Sequence, residues 1–203
     1  MSGSIQVKEK KERALGTRLF LKAERCNSHK CVMVRRPYPP GQHGQKRRRI
    51  SAYGKQLQEK QKIQIVYGLT NKQMRNIFLE YSGSPEKIVE KLERRLDRVI
   101  FHLGFAPSQR VARQLVSHGH IHVNGRKVTI PSYNAKEGDK ISIRSGSRSI
   151  QQFQDLTTTL KKHETPEWIE LNKDELIGTI VGTPSIDAIR PFDINLVGEF
   201  YTR

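Results

Sequence analysis

Apolar residues follow a helical period from about Tyr53 onward, and this period predicts a series of helices. The first should cover residues 55–67 and end at Gly68. The second should begin after an N-cap at Thr70 and end near Gly83. Its inward positions lie three or four residues apart: Met74, Ile77, Phe78 and Tyr81.

A third helix is predicted from residue 84 to Gly104, with an apolar face and a cationic face. Its start combines an N-cap serine, a proline at the first helical position and an acid in the first turn: Ser84-Pro85-Glu86. Five apolar residues at helical spacing form one face: Ile88, Leu92, Leu96, Val99 and Leu103. Four cations group on the opposite face: Lys91, Arg94, Arg95 and Arg98.

A fourth helix, capped by Ser108, is predicted to have a polar outer face. The residues expected to face inward are apolar: Val111, Ala112, Leu115 and Val116. The residues expected to face outward are polar or cationic: Arg110, Arg113, Gln114 and Ser117.

Two short strands around Asn124-Gly125 are predicted to form a hairpin, because Asn-Gly is strongly favoured in two-residue hairpin turns. A further strand should cover residues 140–144, so residues 93–145 are predicted to form a compact helix–helix–sheet unit. The hairpin tip adds two cations to the cationic helix faces: Arg126 and Lys127.

Residues 1–54 are predicted to be mostly irregular. Prolines and glycines are dense in residues 35–44, which favours a rigid, turning loop. A run of four cations follows directly: Lys46, Arg47, Arg48 and Arg49. Such a run is more concentrated than a solvated loop requires, although a merely solvated loop stays an alternative.

The charge of the chain favours a polyanionic partner. The 203 residues include 37 Lys and Arg against 20 Asp and Glu, which gives a net charge of +17. Residues 1–63 have a net charge of +13, residues 64–150 of +8, and residues 151–203 of −4. The front of the chain is therefore expected to meet the polyanion, with nucleic acid ranked before an anionic membrane surface.

Other features of the sequence exclude several classes of protein. No apolar run is long enough to span a membrane, and the N-terminus lacks the apolar stretch of a secretory signal. Two cysteines are too few for a disulfide framework, which favours a reducing cytosol.

Three segments of the central unit resemble the αL RNA-binding domain: RLDRV at 95–99, ARQLV at 112–116 and HIHVNGR at 120–126. Three further segments resemble signatures of the small ribosomal subunit protein four family: residues 36–44, residues 59–62 followed by Tyr67-Gly68, and residues 196–203. The last of these is similar to that family's terminal strand. The resemblance runs in order from about residue 15 to the end of the chain.

The resemblance implies an α+β fold. A mostly helical first domain is built from both chain ends, and it contains an inserted αL domain of two helices on a small antiparallel sheet. The boundaries expected here are 1–92 for the basic loop and helical domain, 93–150 for the αL domain, and 151–203 for a segment returning to the first domain.

The resemblance also implies a function. A member of this family is a structural, non-enzymatic constituent of the small ribosomal subunit in the cytoplasm. It binds 16S-type rRNA directly, nucleates assembly of the subunit body, contacts ribosomal protein five and influences translational accuracy. Residues after the proline-glycine loop line the mRNA entry path in the family, here Lys46, Arg47 and Arg49. Neither a membrane nor a small-molecule substrate is expected as a partner.

The residues expected to bind RNA come from the basic loop, the helices and the hairpin. They are Arg35, Arg36, His43, Lys46, Arg47, Arg48, Arg49, Lys55, Lys62, Arg94, Arg95, Arg98, Arg110, Arg113, Gln114, His120, Asn124, Arg126 and Lys127. For the helix cations an alternative stays open, since nearby acids could pair with them locally: Glu90, Glu93 and Asp97.

Zinc is a further question, because many members of the family hold it with four N-terminal cysteines. Cys26 and Cys31 match the second pair, while Glu9 and Glu12 occupy the positions of the first. Structural zinc favours sulfur and imidazole ligands, so we expect no cofactor. The alternative is a zinc ion held by the two cysteines with Glu9, Glu12 or His29.

Two other functions use an αL domain. An RNA-modifying enzyme would need a catalytic domain with a paired acid and base, and neither flank of the αL unit offers one. A free-standing RNA chaperone or mRNA repressor would differ only in its target.

Overall fold

The computed structural model describes residues 8–46, 49–81, 84–154, 156, 160, 163–185 and 192–202. The chain divides into two compact units. The first unit combines residues 1–83 with residues 191–203, and the second covers residues 84–190.

Helices α1 to α5 and α10 belong to the first unit. Their bounds are Lys8–Leu15 for α1, Ala23–Cys26 for α2, Val32–Arg35 for α3, Ala52–Tyr67 for α4, Asn71–Glu80 for α5 and Ile194–Thr202 for α10. The two longer central helices begin at side-chain caps, Ser51 for α4 and Thr70 for α5, and α4 ends at the left-handed Gly68 as predicted.

The C-terminal helix α10 joins the two chain ends by packing against α4 and α5. Gln56 donates a hydrogen bond from Nε2 to Glu199 Oε2 over 2.9 Å. The rings of Phe78 and Tyr201 lie 5.3 Å apart, and Ile63 is fully buried. A first domain built from both chain ends is therefore confirmed.

One expectation for this unit was wrong, and a second was incomplete. Residues 196–203, expected as a strand, belong within the described residues to helix α10, because Val197 and Ile194 are buried on one helical face. The N-terminal segment, expected to be irregular, contains three short helices. Polar residues dominate α1, so its helix leaves little apolar period in the sequence.

Helices α6 to α9 and strands β1 to β5 belong to the second unit. The helices are Pro85–Glu93 for α6, Leu96–His102 for α7, Gln109–Ser117 for α8 and Gln151–Gln154 for α9. The strands are Ile121–Val123 for β1, Arg126–Lys127 for β2, Lys140–Ile143 for β3, Ile169–Asn172 for β4 and Ile177–Ile180 for β5.

The strands form one antiparallel sheet of five strands among the described residues, in the order β2-β1-β3-β5-β4. Val123 pairs with Arg126 in the predicted hairpin register. Buried residues alternate along β1 and β3, which places one sheet face against helices α7 and α8. Gly178 in β5 is required at this contact, because any side chain there would collide with Leu103.

The predicted third helix is broken in two. Helix α6 ends at Glu93 and α7 begins at Leu96, and the turn between them is held by the loop before β3. Leu96 N–H donates to the Tyr133 carbonyl over 2.8 Å, and Ala135 N–H donates to the Arg94 carbonyl over 2.8 Å. The sequence did not reveal the break, because the buried apolar residues of α6 and α7 keep one helical spacing across residues 94 and 95.

The boundaries expected after residues 92 and 150 both differ from the structure, in which the second unit covers residues 84–190. Strand β5 pairs with β3 and β4 pairs with β5, so residues 169–180 belong to the second unit and not to the first. Trp168 is buried in the core of the second unit. Pairing between strands distant in the sequence causes this difference, and a short strand pattern alone does not reveal it.

The α+β class and the inserted helix–sheet unit are confirmed, with two more strands than predicted. None of the helices that the structure describes combines the length and apolarity needed to cross a membrane.

Candidate nucleic-acid interface

Helix α8 has the predicted division between an inner and an outer face. The Ser108 hydroxyl accepts a hydrogen bond from Val111 N–H over 3.4 Å, which starts the helix. Leu115 is buried on the inner face. The outer face exposes three of the predicted RNA-binding residues: Arg110, Arg113 and Gln114.

The hairpin tip is held by the side chain of Asn124. Its Nδ2 donates to Asp139 Oδ1 over 2.8 Å, and its Oδ1 accepts from Lys140 N–H over 2.9 Å. The backbone of Asn124 is left-handed, with φ at 50°, as the Asn-Gly turn requires. The amide of Asn124 therefore ties the turn to β3, while Arg126 and Lys127 are exposed beside it.

The hairpin meets the end of α8 through Lys127. Its side chain crosses the backbone of Gly119, two residues after the helix ends at Ser117. An ammonium group is favourable at a helix C-terminus, where carbonyl groups lack helical partners. Helix and hairpin thus form one cationic surface, the α8–hairpin surface: Arg110, Arg113, Gln114, Arg126 and Lys127.

Asp97 lies buried beneath this surface and pairs with two arginines. It accepts from Arg95 at both oxygens, with Nε–Oδ1 at 3.2 Å and Nη2–Oδ2 at 3.0 Å. Arg113 Nη1 lies 3.9 Å from Asp97 Oδ2. Burial raises the pKa of Asp97 despite the opposing effect of Arg95.

Arg98 faces inward, contrary to the predicted cationic face. Its Nε donates to Glu93 Oε2 over 2.8 Å, and Glu93 is fully buried. His102 Nε2 lies 2.6 Å from the same oxygen. Burial would raise the pKa of Glu93, but the Arg98 guanidinium and the His102 hydrogen bond lower it to about 2. Because burial lowers the pKa of His102, its ring is neutral at pH 7 and the contact is a hydrogen bond.

The cations around the helix break therefore pair with nearby acids, which is the alternative that the sequence left open. Arg94 pairs with Glu90 over 3.1 Å, and Arg95 and Arg98 are each 8% exposed. Because the helix is broken, these residues do not share the single cationic face predicted for a continuous helix. Their guanidinium groups hold acids of the unit's own chain.

His120 lies half-buried next to the hairpin. Its Nδ1 is 3.0 Å from Ser147 Oγ, and its ring packs against Phe153 at 6.2 Å. Burial lowers the pKa of His120, and the positive charges of His118, Arg144 and Lys127 lower it further. The ring is thus neutral at pH 7 and available as a hydrogen-bonding group.

The predicted residues of the first unit are spread over α3, the loop that follows it and α4. Those exposed are Arg35, Arg36, His43, Lys46, Arg49 and Lys55. Lys62 is half-buried and pairs with Glu59, with Nζ–Oε1 at 2.6 Å. Arg47 and Arg48 lie outside the described residues.

A pocket of the first unit contains cations that the sequence analysis missed. Lys10, Arg13 and Arg25 line it together with Arg35 and Arg36. Arg13 is fixed by its Nε donating to the Tyr38 carbonyl over 2.9 Å. The three-residue spacing of Lys10 and Arg13 could have placed both cations on one helical face. It was not used, because the segment was expected to be irregular.

Glu12 is the centre of the segment that contains the two cysteines. Its Oε1 accepts from Leu19 N–H over 3.0 Å and from Leu21 N–H over 3.2 Å. Cys26 Sγ lies 3.9 Å from the same oxygen, and burial raises the pKa of this thiol, with Glu12 raising it further. Glu12 is 2% exposed.

The chain matches two family models that overlap at residues 94–97. Residues 5–97 match the ribosomal protein S4/S9 N-terminal domain, and residues 94–141 match the S4 domain. The second match covers α7, α8 and the hairpin, which contain the α8–hairpin surface.

Several proteins are similar to this chain over almost its whole length. Small ribosomal subunit protein uS4 of Caldicellulosiruptor bescii is 44% identical over 193 residues, and uS4 of Thermus thermophilus is 45% identical over 194 residues. Small ribosomal subunit protein uS4 of Fervidobacterium nodosum is 42% identical over 194 residues. Each alignment covers 93% of this chain and 93% of the relative.

Proposed function

Because this chain belongs to the family of small ribosomal subunit protein uS4, we infer that it is a structural, RNA-binding constituent of the small ribosomal subunit. Its RNA is the rRNA of that subunit, and its place is the cytoplasm. It is not an enzyme, since the relatives are named as ribosomal proteins and their similarity covers 93% of the chain.

The α8–hairpin surface is the observation that supports direct RNA binding most strongly. Four cations lie exposed on it, Arg110, Arg113, Arg126 and Lys127, on a frame fixed by the Ser108 cap and the Asn124 bonds. A rigid set of exposed cations can contact successive phosphates without first becoming ordered. Gln114 adds a group that can both donate and accept hydrogen bonds at an RNA edge.

The proposal extends to steps of ribosome assembly and decoding. The protein would bind 16S-type rRNA early and nucleate the subunit body. It would contact ribosomal protein five and so influence translational accuracy. Lys46, Arg47 and Arg49 would lie at the mRNA entry path. Exposure of Lys46 and Arg49 after the proline-glycine loop supports this last role.

We propose further that the N-terminal segment folds without zinc. The Glu12 carboxylate accepts two backbone N–H groups, which leaves it poorly suited to coordinate a metal. No group of three or more metal-binding side chains converges within the described part of the chain.

The test of RNA binding is a titration of the full chain with a junction fragment of small-subunit rRNA at several salt concentrations. Contact with six to ten phosphates should weaken binding by about 10³ or more between 50 and 200 mM salt. Arg110→Ala with Arg113→Ala should lower the magnitude of the log–log salt slope by about 0.7–0.9 per lost contact.

The matched control removes two exposed cations from α5, Lys72→Ala with Arg75→Ala. Equal effects of the two double variants would mean that binding follows net charge, which would contradict the assignment of the α8–hairpin surface. Leu115→Ala serves as a folding control, because a cavity in the core should cost about 2–5 kcal/mol of stability and affect RNA only through unfolding.

A further inference from the structure

The first unit contains an open pocket of about 470 Å³ between α1, α3 and the loop that follows α3. Helix α1 contributes Glu9, Lys10 and Arg13 to its lining. The remaining lining residues come from α2, α3 and the loop: Arg25, Val32, Arg35, Arg36 and Pro40. All of these residues belong to the first unit, whereas the α8–hairpin surface belongs to the second.

The pocket has a large excess of positive charge. Five of its eight lining residues are cations and one, Glu9, is an acid. Arg25 neutralises this acid, with Nε 2.9 Å from Glu9 Oε1. Arg35 and Arg36 make no side-chain hydrogen bond or ion pair with any described residue. Cations collected in a concave site without matching acids favour an anionic ligand.

Arg13 is held rigidly at the wall of the pocket. Its Nε donates to the Tyr38 carbonyl over 2.9 Å, and its Nη2 donates to the Pro39 carbonyl over 3.3 Å. The guanidinium carbon also lies 4.9 Å from the centre of the Tyr38 ring. These contacts fix the loop against α1, so the pocket exists before a ligand binds.

The size of the pocket exceeds what a phosphate group needs. Its volume of about 470 Å³ lies within the roughly 300–1,000 Å³ typical of pockets that hold small-molecule ligands. Val32 and Pro40 give part of the lining an apolar character. Unstacked RNA bases lie on aromatic rings or guanidinium planes, and a base turned out of its stack also packs against apolar side chains, whereas phosphates require the cations.

We propose that this pocket holds one nucleotide of the bound RNA, turned out of its stack. The phosphate lies against Lys10, Arg35 and Arg36, and the base lies on the side of Val32 and Pro40. This inference rests on the proposed function and adds a second RNA contact in the first unit. Arg13 is a positioning residue that holds the loop.

The first experiment titrates the isotope-labelled full chain with uridine 5′-monophosphate and, separately, with inorganic phosphate, following amide chemical shifts. Shifts should be confined to residues around the pocket. The nucleotide should bind about five-fold more tightly than phosphate or better, because base contacts add to the anionic contacts. Equal affinities would overturn the nucleotide assignment, and absence of shifts around the pocket would overturn the site.

The second experiment uses Arg35→Gln with Arg36→Gln, two exposed residues whose replacement leaves the core intact. This variant should lose binding of the mononucleotide and weaken binding of the rRNA junction fragment by about ten-fold or more. The matched control is Lys72→Gln with Arg75→Gln on α5, which removes the same charge outside the pocket. The control should change the affinity by less than about three-fold.

The outcomes separate this inference from the proposed function. If the pocket variant behaves like the control while Arg110→Ala with Arg113→Ala weakens RNA binding, the pocket is not an RNA site and the proposed function stands. If neither the pocket variant nor Arg110→Ala with Arg113→Ala differs from the control, both the pocket inference and the RNA-binding role of the α8–hairpin surface are contradicted.

Discussion

Lys127 lies so closely across Gly119 that a methyl group at position 119 would occupy the space of the lysine side chain. Gly119 has φ at 75°, in the left-handed region that suits glycine. The same short segment therefore ends α8, turns the chain into β1 and supports the cation that continues the surface of α8 onto the hairpin.

Gly119→Ala should destabilise the second unit by about 1–2 kcal/mol, mainly because alanine is strained in the left-handed region. The displaced atoms of Lys127 are the far end of a flexible side chain, so their movement should cost little. Thermal melting should give nearly the same loss in a Lys127→Ala background. A much smaller loss in that background would mean that the collision, and not the backbone, dominates.

Glu12→Ala should destabilise the N-terminal segment by about 2 kcal/mol or more, because two buried N–H groups would lose a charged acceptor. Hydrogen exchange at Leu19 and Leu21 should accelerate selectively.

The wild-type chain should contain no stoichiometric zinc by elemental analysis, and a chelator should not change its melting temperature. One zinc per chain that is lost in Cys26→Ser would contradict the zinc-free proposal.

The sequence predicted the fold best where local signals and packing agree. The Ser108 cap, the Asn-Gly hairpin and the apolar face of α8 act over a few residues, and the structure has all three. The α8–hairpin surface could be predicted for the same reason, since helical spacing separates Arg110 from Leu115.

The sequence failed where contacts distant along the chain decide the structure. The break between α6 and α7 is held by residues 131–135, and it turns Arg95 and Arg98 toward Asp97 and Glu93. Strands β4 and β5 join the sheet through β3, which moves the boundary past residue 150. The pocket depends on Arg13 reaching a loop 25 residues away, a contact that spacing does not reveal.

Glu93→Gln should destabilise the second unit in a pH-dependent way. The pKa of Glu93 falls from 4.5 to about 2 on folding, so its carboxylate stabilises the fold fully above pH 4.5. The loss at pH 7 should be about 3 kcal/mol, and it should shrink as the pH falls from 4.5 toward 2. Denaturant unfolding curves recorded from pH 7 to pH 2.5 measure the difference in free energy of unfolding between the wild type and Glu93→Gln.

Glu86→Gln is the matched control for this prediction, because Glu86 is an exposed acid in the first turn of the same helix. Its effect should stay below about 1 kcal/mol. A pH-independent loss in Glu93→Gln would indicate that the site responds to the shape of the side chain and not to its charge.

Variants of Asn124 distinguish two roles for this hairpin residue: direct contact with RNA, or positioning of the neighbouring Arg126 and Lys127. Its amide is already bonded to Asp139 and Lys140, over 2.8 and 2.9 Å, which favours a positioning role. Asn124→Gly keeps the left-handed backbone and loses both bonds, so it should cost about 2 kcal/mol. Asn124→Asp should cost more at pH 7, because it sets a second carboxylate against the buried Asp139.

The two variants should separate further as the pH is lowered. A proton shared between two facing carboxyl groups restores a donor, so Asn124→Asp should recover stability between pH 7 and pH 4 while Asn124→Gly does not. RNA titrations at a temperature where both variants stay folded complete the test. With a positioning role, Asn124→Gly keeps the wild-type salt slope, since the bonds it loses are to Asp139 and Lys140 and not to phosphate. An Asn124→Gly variant with wild-type stability and weakened RNA binding would instead make this amide a direct RNA contact.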